Sequence, residues 1–441
     1  MMVALTVEKG EAIPPMGRGV AAMRELGLRI ISAALHILAT IAVVQALAPP
    51  VAGIYFRGVV IAYGLAALLR GKYELFVAQL FFGPKKSDFG AHARVVVRAL
   101  GIRVLIRSAI ACAVLLVLTT DLDVLDVYLR PYLQTYLPFV LAVPFATLAL
   151  FLAGTLRSVN HTLGSVMVSS YSINVLIILA ASVSSALWSD TLLTISWGFF
   201  VGCMLAAGVG VLLTRRVFEA PKDSGQQKLD AAEWRSICTS TARNGLIGAA
   251  VAALQWGPLC VLAVLGTTVE IAHYAVVTRT AQIIDFLIPA VIFIPQSARI
   301  QSRLCQAMSS ARGKLAVDLA VSLATTSVCV LAVAILTPWF VSWYGGAYTG
   351  LTGLFALLYL TQWVNGACRP ALRQLAADWN RNRSRGIMLI SMTIAIAVSL
   401  AGIHRYGPLG AAVGVLAGAL ALNGQALVSA LWGSARNESD K

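Results

Sequence analysis

Apolar stretches of about 20 residues recur along the chain, roughly twelve in all, separated by short polar connections. The stretches run over residues 28–48, 52–70, 99–119, 135–156, 164–187, 191–213, 241–265, 270–298, 315–343, 348–369, 386–404 and 407–432. Each is long enough to cross a hydrocarbon layer about 30 Å thick as a helix, the single-segment structure that satisfies its own backbone hydrogen bonds in lipid. The pattern predicts an all-α, polytopic membrane protein of about twelve transmembrane helices.

Basic residues fall on alternate connections. One set holds Arg70, Lys72, Lys85, Lys86, Arg94 and Arg98, then Arg215, Arg216, Lys222 and Lys228, then Arg299, Arg303, Arg312 and Lys314, and last Arg369, Arg373, Arg381, Arg383 and Arg385. The other set holds Arg57, Arg130 and Arg405, beside Asp121, Asp123, Asp126, Asp190 and Glu270. Lysine and arginine stay on the cytoplasmic side of a membrane, so both ends of the chain are expected inside. The polar connection from Arg215 to Trp234 separates six spans from six. The expected organisation is a cytoplasmic segment 1–27, a six-helix lobe 28–213, a cytoplasmic linker 214–240, a second six-helix lobe 241–432 and a cytoplasmic tail 433–441. Two bundles around a central path suit alternating-access transport.

Composition agrees with this reading. Of the 441 residues 59% are hydrophobic and 12% charged, about half the charged share of a soluble domain. The net charge of +15 would suggest nucleic acid in a soluble protein, but here topology and the anionic inner leaflet account for it. The seven cysteines are scattered, mostly within apolar segments, and read as small core residues. No cleavable signal peptide is expected, because the first apolar run is long enough to span. No GxxxxGK[ST], HExxH or GxSxG motif occurs, and the five histidines stand apart in sequence. The outer connections are too short to hold a catalytic domain, and the chain reads as a carrier rather than an enzyme.

Charged groups inside a span cost at least roughly 2.5–3.5 kcal/mol each, so they mark either a buried partner or a wet path. The eighth span carries Arg279, Gln282 and Asp285 at steps of three, which places them on one stripe roughly 120° wide. Arg279 is the candidate contact for an anionic substrate, and Asp285 the candidate to orient it or to couple transport to a cation; a buried ion pair between spans explains the same residues without transport. Pro289 and Pro295 on that span are hinge candidates, since a proline inside a helix removes a hydrogen bond. Arg57 in the second span either lines the path or snorkels to the outer headgroups. Gln255 in the seventh span and Asn365 in the tenth either line the path or bond between helices. Gly410, Gly414 and Gly418 form a small-residue face for close helix packing.

Four segments resemble a known family. ALAPPVAGIYF (46–56) resembles the turn between the first two helices of polysaccharide flippases, with Ala-Pro-Pro where Leu-Gly-Pro is usual. VEIAHYAVVTRTAQIIDFLIPAVIFIPQSARI (269–300) resembles their eighth-span segment, WYGGAYTG (343–350) a later turn, and YGPLGAAVGVLAGALALNG (406–424) their last helix. Their order and spacing resemble the Wzx-type O-antigen and exopolysaccharide flippases, within the multidrug/oligosaccharidyl-lipid/polysaccharide exporter superfamily. The resemblance implies a two-lobed helical bundle that moves polyprenyl-pyrophosphate-linked oligosaccharide to the outer leaflet for surface polysaccharide biosynthesis. It implies cationic cavity residues, with Arg279 first and Arg57 second. Implied partners are the lipid-linked glycan, membrane lipids, and polysaccharide polymerase or chain-length proteins; no nucleic acid is implied, and a monomer in the bacterial inner membrane is expected. No cofactor is expected, and coupling to a proton or to sodium stays open. The alternative is a cation-coupled multidrug exporter of the same fold, with Asp285 as its coupling carboxylate.

Overall fold

The structure is a computed structural model that describes residues 15–71, 73, 77, 89–121, 123–159, 161–187, 190–218, 231–292, 311–377 and 382–439. Every regular element among them is helical. In chain order they are α1 (Pro15–Ala46), α2 (Pro49–Arg70), α3 (Phe89–Asp121), α4 (Asp123–Ser158), α5 (Thr162–Val166), α6 (Ser172–Leu187) and α7 (Thr191–Val217). There follow α8 (Ala231–Leu265), α9 (Thr268–Ile292), α10 (Ala311–Tyr344), α11 (Thr352–Ala367), α12 (Arg369–Ala377), α13 (Asn382–Tyr406) and α14 (Pro408–Ser439). A π-helical turn, Met167–Tyr171, joins α5 to α6.

Among the described residues, ten helical segments are long and apolar enough to cross a membrane. The chain is a multi-pass membrane protein. The two other expected spans are helices as well, α9 and α11. Helix α9 carries Glu270, Arg279, Gln282 and Asp285, and is correspondingly polar. Helix α11 has 16 residues, about 24 Å, which is less than a full hydrocarbon crossing.

The chain divides into two compact units, residues 38–256 and residues 1–37 with 257–441, so the divisions fall inside α1 and α8. Residues 219–230, within the expected linker, lie outside the described residues.

In the unit of residues 38–256, α4 is the hub, packed by α2, α3 and α7, and α6 packs on α7. Small residues bring these helices together. Gly198 of α7 faces Ala180, Gly202 faces the backbone of Ile173, and Gly210 faces Leu152 and Val168. Gly58 of α2 lies under the ring of Phe139. Phe139, Phe151, Leu156, Ile195 and Phe199 are fully buried at the centre. Tyr63 stacks on Trp256 with ring centroids 5.9 Å apart and meets Phe199 edge-on at 5.6 Å.

In the other unit, α13 and α14 form a tight antiparallel pair around Gly407, which takes φ 53° ahead of Pro408. Gly410 lies on the backbone of Gly402, and Gly414 on Ala395 and Ser399; this is the small-residue face expected from the sequence. Helices α9, α10 and α11 pack on one another, and α11 and α12 pack on α14. The Ser322 hydroxyl of α10 donates to the carbonyl of Gly366 in α11 at 2.8 Å. Val328, Leu331, Ile335 and Trp339 form an exposed stripe along α10, as lipid contact requires.

Candidate functional site

Helix α9 begins with a capping box. The Thr267 amide donates to Glu270 Oε2 at 2.8 Å, and the Glu270 amide donates to Thr267 Oγ1 at 3.3 Å. One side of the helix is packed: Val276, Val277, Ile284 and Ile288 are buried. The opposite stripe holds Arg279 and Gln282, both half-buried, and Asp285, which is exposed. Arg279 is the twelfth of the 25 residues of α9, about 16 Å from its start and close to the middle of the helix.

Arg279 Nη1 lies 2.6 Å from Nε2 and 3.1 Å from Nδ1 of His36 on α1. A guanidinium can only donate, so the imidazole accepts through a ring lone pair and is neutral in this arrangement. Gln282 Oε1 stands 3.1 Å from His36 Nε2, and Phe286 meets the His36 ring edge-on at 6.4 Å. His36 is itself at the centre of the apolar segment Leu26–Ala46. This contact ties the Arg279 guanidinium in the middle of α9 to the middle of α1. Behind it, Thr280 Oγ1 shares a 2.9 Å hydrogen bond with the Tyr344 hydroxyl of α10, which fixes α9 against its neighbour.

Asp285 is engaged by a different cation. Arg369 Nη2 donates to Asp285 Oδ1 at 2.8 Å, with the carboxylate 45% and the arginine 16% exposed. Arg369 opens α12, directly after the break at Cys368 that ends α11. Asn365 on α11 accepts from Asn423 Nδ2 of α14 at 2.8 Å. Its amide oxygen therefore serves a bond between helices.

The remaining candidates lie elsewhere. Arg57 is half-buried in α2, and Gln255 is exposed on α8. Pro289 falls in the last turn of α9, and Pro295 lies outside the described residues. The structure thus gathers Arg279, Gln282 and Asp285 with two residues that the sequence pattern passed over, His36 and Arg369. For His36 the available signal was a titratable residue at the centre of a mostly apolar span, with its nearest charged neighbour, Arg29, about two turns away. Arg369 carried no distinguishing signal, since it reads as one more cytoplasmic arginine.

No family model and no curated protein matches the sequence. Solved structures do. The chain is similar to the lipid II flippase MurJ in an inward closed conformation, with 13% identity and a TM-score of 0.63, over 94% of this chain and 87% of that one. It is similar to a MATE family multidrug resistance transporter of the MOP superfamily in its inward-facing conformation, with 13% identity and a TM-score of 0.58, over 95% and 98%. It is also similar to the Vibrio cholerae MATE transporter VcmN in its bent form, with 13% identity and a TM-score of 0.55, over 96% and 98%. At this identity the likeness is one of fold: the chain has the two-lobed helical fold that these proteins share, as the sequence led one to expect.

Proposed function

We propose that the chain is a flippase of the bacterial inner membrane that moves a polyprenyl-pyrophosphate-linked oligosaccharide to the outer leaflet for surface polysaccharide biosynthesis. The observation that carries this reading is the guanidinium of Arg279, held in the middle of α9 against the neutral ring of His36, itself at the centre of an apolar segment. A fixed cation at that depth suits a substrate whose headgroup is an anion, because a planar guanidinium grips phosphate oxygens in pairs. The fold shared with a lipid II flippase supports a lipid-linked substrate. Transport would alternate between inward- and outward-open states, and Gln282 would add a neutral hydrogen bond to the headgroup or first sugar. With the cell interior about 100 mV negative, moving two phosphate charges outward is favoured by about 4–5 kcal/mol, without a co-transported cation.

The test is complementation of a surface-polysaccharide export mutant, scored by surface glycan at matched expression. The wild type restores export, Arg279→Ala does not, and Arg279→Lys restores it in part. Full export by Arg279→Ala, or export indifferent to membrane potential, overturns the reading. A second reading, a cation-coupled multidrug exporter, is supported by the likeness to MATE transporters and by the exposed carboxylate of Asp285. Resistance to cationic dyes that Asp285→Asn abolishes would establish it instead.

A further inference from the structure

The ion pair of Asp285 with Arg369 sits at the inner end of the stripe that starts at Arg279. Along α9, Asp285 is about 9 Å nearer the cytoplasmic end than Arg279. The basic residues that follow α9, including Arg312 and Lys314 at the start of α10, place that end inside. Asp285 is nearly half exposed, whereas Arg369 is mostly covered. The guanidinium therefore belongs to the packed framework, and the carboxylate lies over it from the accessible side. Arg369 also opens a helix whose Ala371, Leu372 and Leu375 are buried, so the cation has little freedom to follow a departing partner. One turn on, the charge of Arg369 is felt at Arg373, which has a separate counter-charge in Asp318.

A guanidinium donating to a carboxylate presents the same donor geometry to a phosphate oxygen. We propose that Arg369 is a second anion-binding residue, an inner-leaflet station for the phosphate headgroup, and that Asp285 is its built-in competitor. The incoming headgroup displaces Asp285 from Arg369, and the released carboxylate turns to water. The headgroup then moves about 9 Å along the stripe to Arg279. The ion pair keeps Arg369 neutralised when no substrate is bound, and the need to displace it discriminates against weak anions. This inference rests on the proposed function and adds to it a residue, an order of contacts and a reason for the acid within a cationic stripe.

The test uses the full-length chain in nanodiscs of zwitterionic lipid. The probe is geranylgeranyl pyrophosphate, with geranylgeraniol as the uncharged control, and binding is followed by intrinsic tryptophan fluorescence. A half-exposed ion pair is a weak competitor, so Asp285→Asn should tighten pyrophosphate binding about fivefold. Arg369→Gln should weaken it about tenfold, and the gain from Asp285→Asn should vanish in the Arg369→Gln background. Thermal unfolding of each variant separates loss of binding from loss of fold. Binding that Asp285→Asn leaves unchanged or weakens in a folded protein overturns this inference, as does a gain that persists without Arg369. If Arg279→Ala still abolishes binding in that case, the proposed function stands. No charge-dependent binding by the wild type overturns both.

Discussion

Replacing His36 by phenylalanine isolates the contact that positions Arg279. The ring is kept, and with it the edge contact to Phe286, while the bonds to Arg279 and Gln282 are lost. A hydrogen bond to a charged group contributes about 1.5–3 kcal/mol net, and a neutral one about 0.5–1.5 kcal/mol. Arg279 and Gln282 are both half-buried, and water can reach them once His36 is gone, so the low ends of these ranges apply. Together they give about 2 kcal/mol, or about thirtyfold in the fraction of molecules that hold Arg279 in place. The assay is geranylgeranyl pyrophosphate binding to the purified chain in nanodiscs. His36→Phe should weaken binding by up to about thirtyfold, and His36→Gln, whose amide oxygen can accept from Arg279, by less. Because His36 acts through Arg279, the double variant with Arg279→Ala should bind no worse than Arg279→Ala alone. The reasoning fails if folded His36→Phe binds within about twofold of wild type while Arg279→Ala does not bind.

Two further predictions concern the fold. Gly414→Val drives a branched side chain into Ala395 and Ser399 and should cost about 1–3 kcal/mol, whereas Gly424→Ala on the same helix meets open space and should leave the melting temperature unchanged or raised; equal melting temperatures would show that the α13–α14 contact is not tight. Glu270→Gln weakens the capping box of α9 and should cost about 0.5–1 kcal/mol in thermal unfolding without changing affinity for the probe, and a larger loss of affinity than of stability would give Glu270 a part in binding.

The span pattern was legible because hydrocarbon allows few alternatives. A run of about 20 apolar residues has little to be except a crossing helix, and the turns at 46–56 and 343–350 carry the glycines and prolines that end one. The polar stripe of α9 was legible for the related reason that charge in a span is costly enough to stand out. Its partners were hidden by distance. His36 lies 243 residues from Arg279, and spacing along one helix says nothing about which other helix faces it. The unit division inside α1 and α8 was also out of reach, since a polar connection marks where a chain leaves the membrane and not where packing changes partners.

Arg369 shows why topology rules under-read such a protein. Positive residues gather on the cytoplasmic side whatever they do there, so an arginine with a task looks like one that only anchors. What distinguishes it is the break at Cys368, which starts α12 with buried Ala371, Leu372 and Leu375 and turns Arg369 back toward α9. Asp285 then meets a cation from another helix, while Arg279, two steps of three away, meets a neutral ring. Had Asp285 paired with Arg279, the stripe would hold one internal ion pair and Arg369 would lie apart from it. As built, the two guanidiniums have separate contacts: Arg279 meets the His36 ring, and Arg369 meets Asp285, about 9 Å farther along α9. That separation of partners is what the proposed passage of an anion from one cation to the next requires.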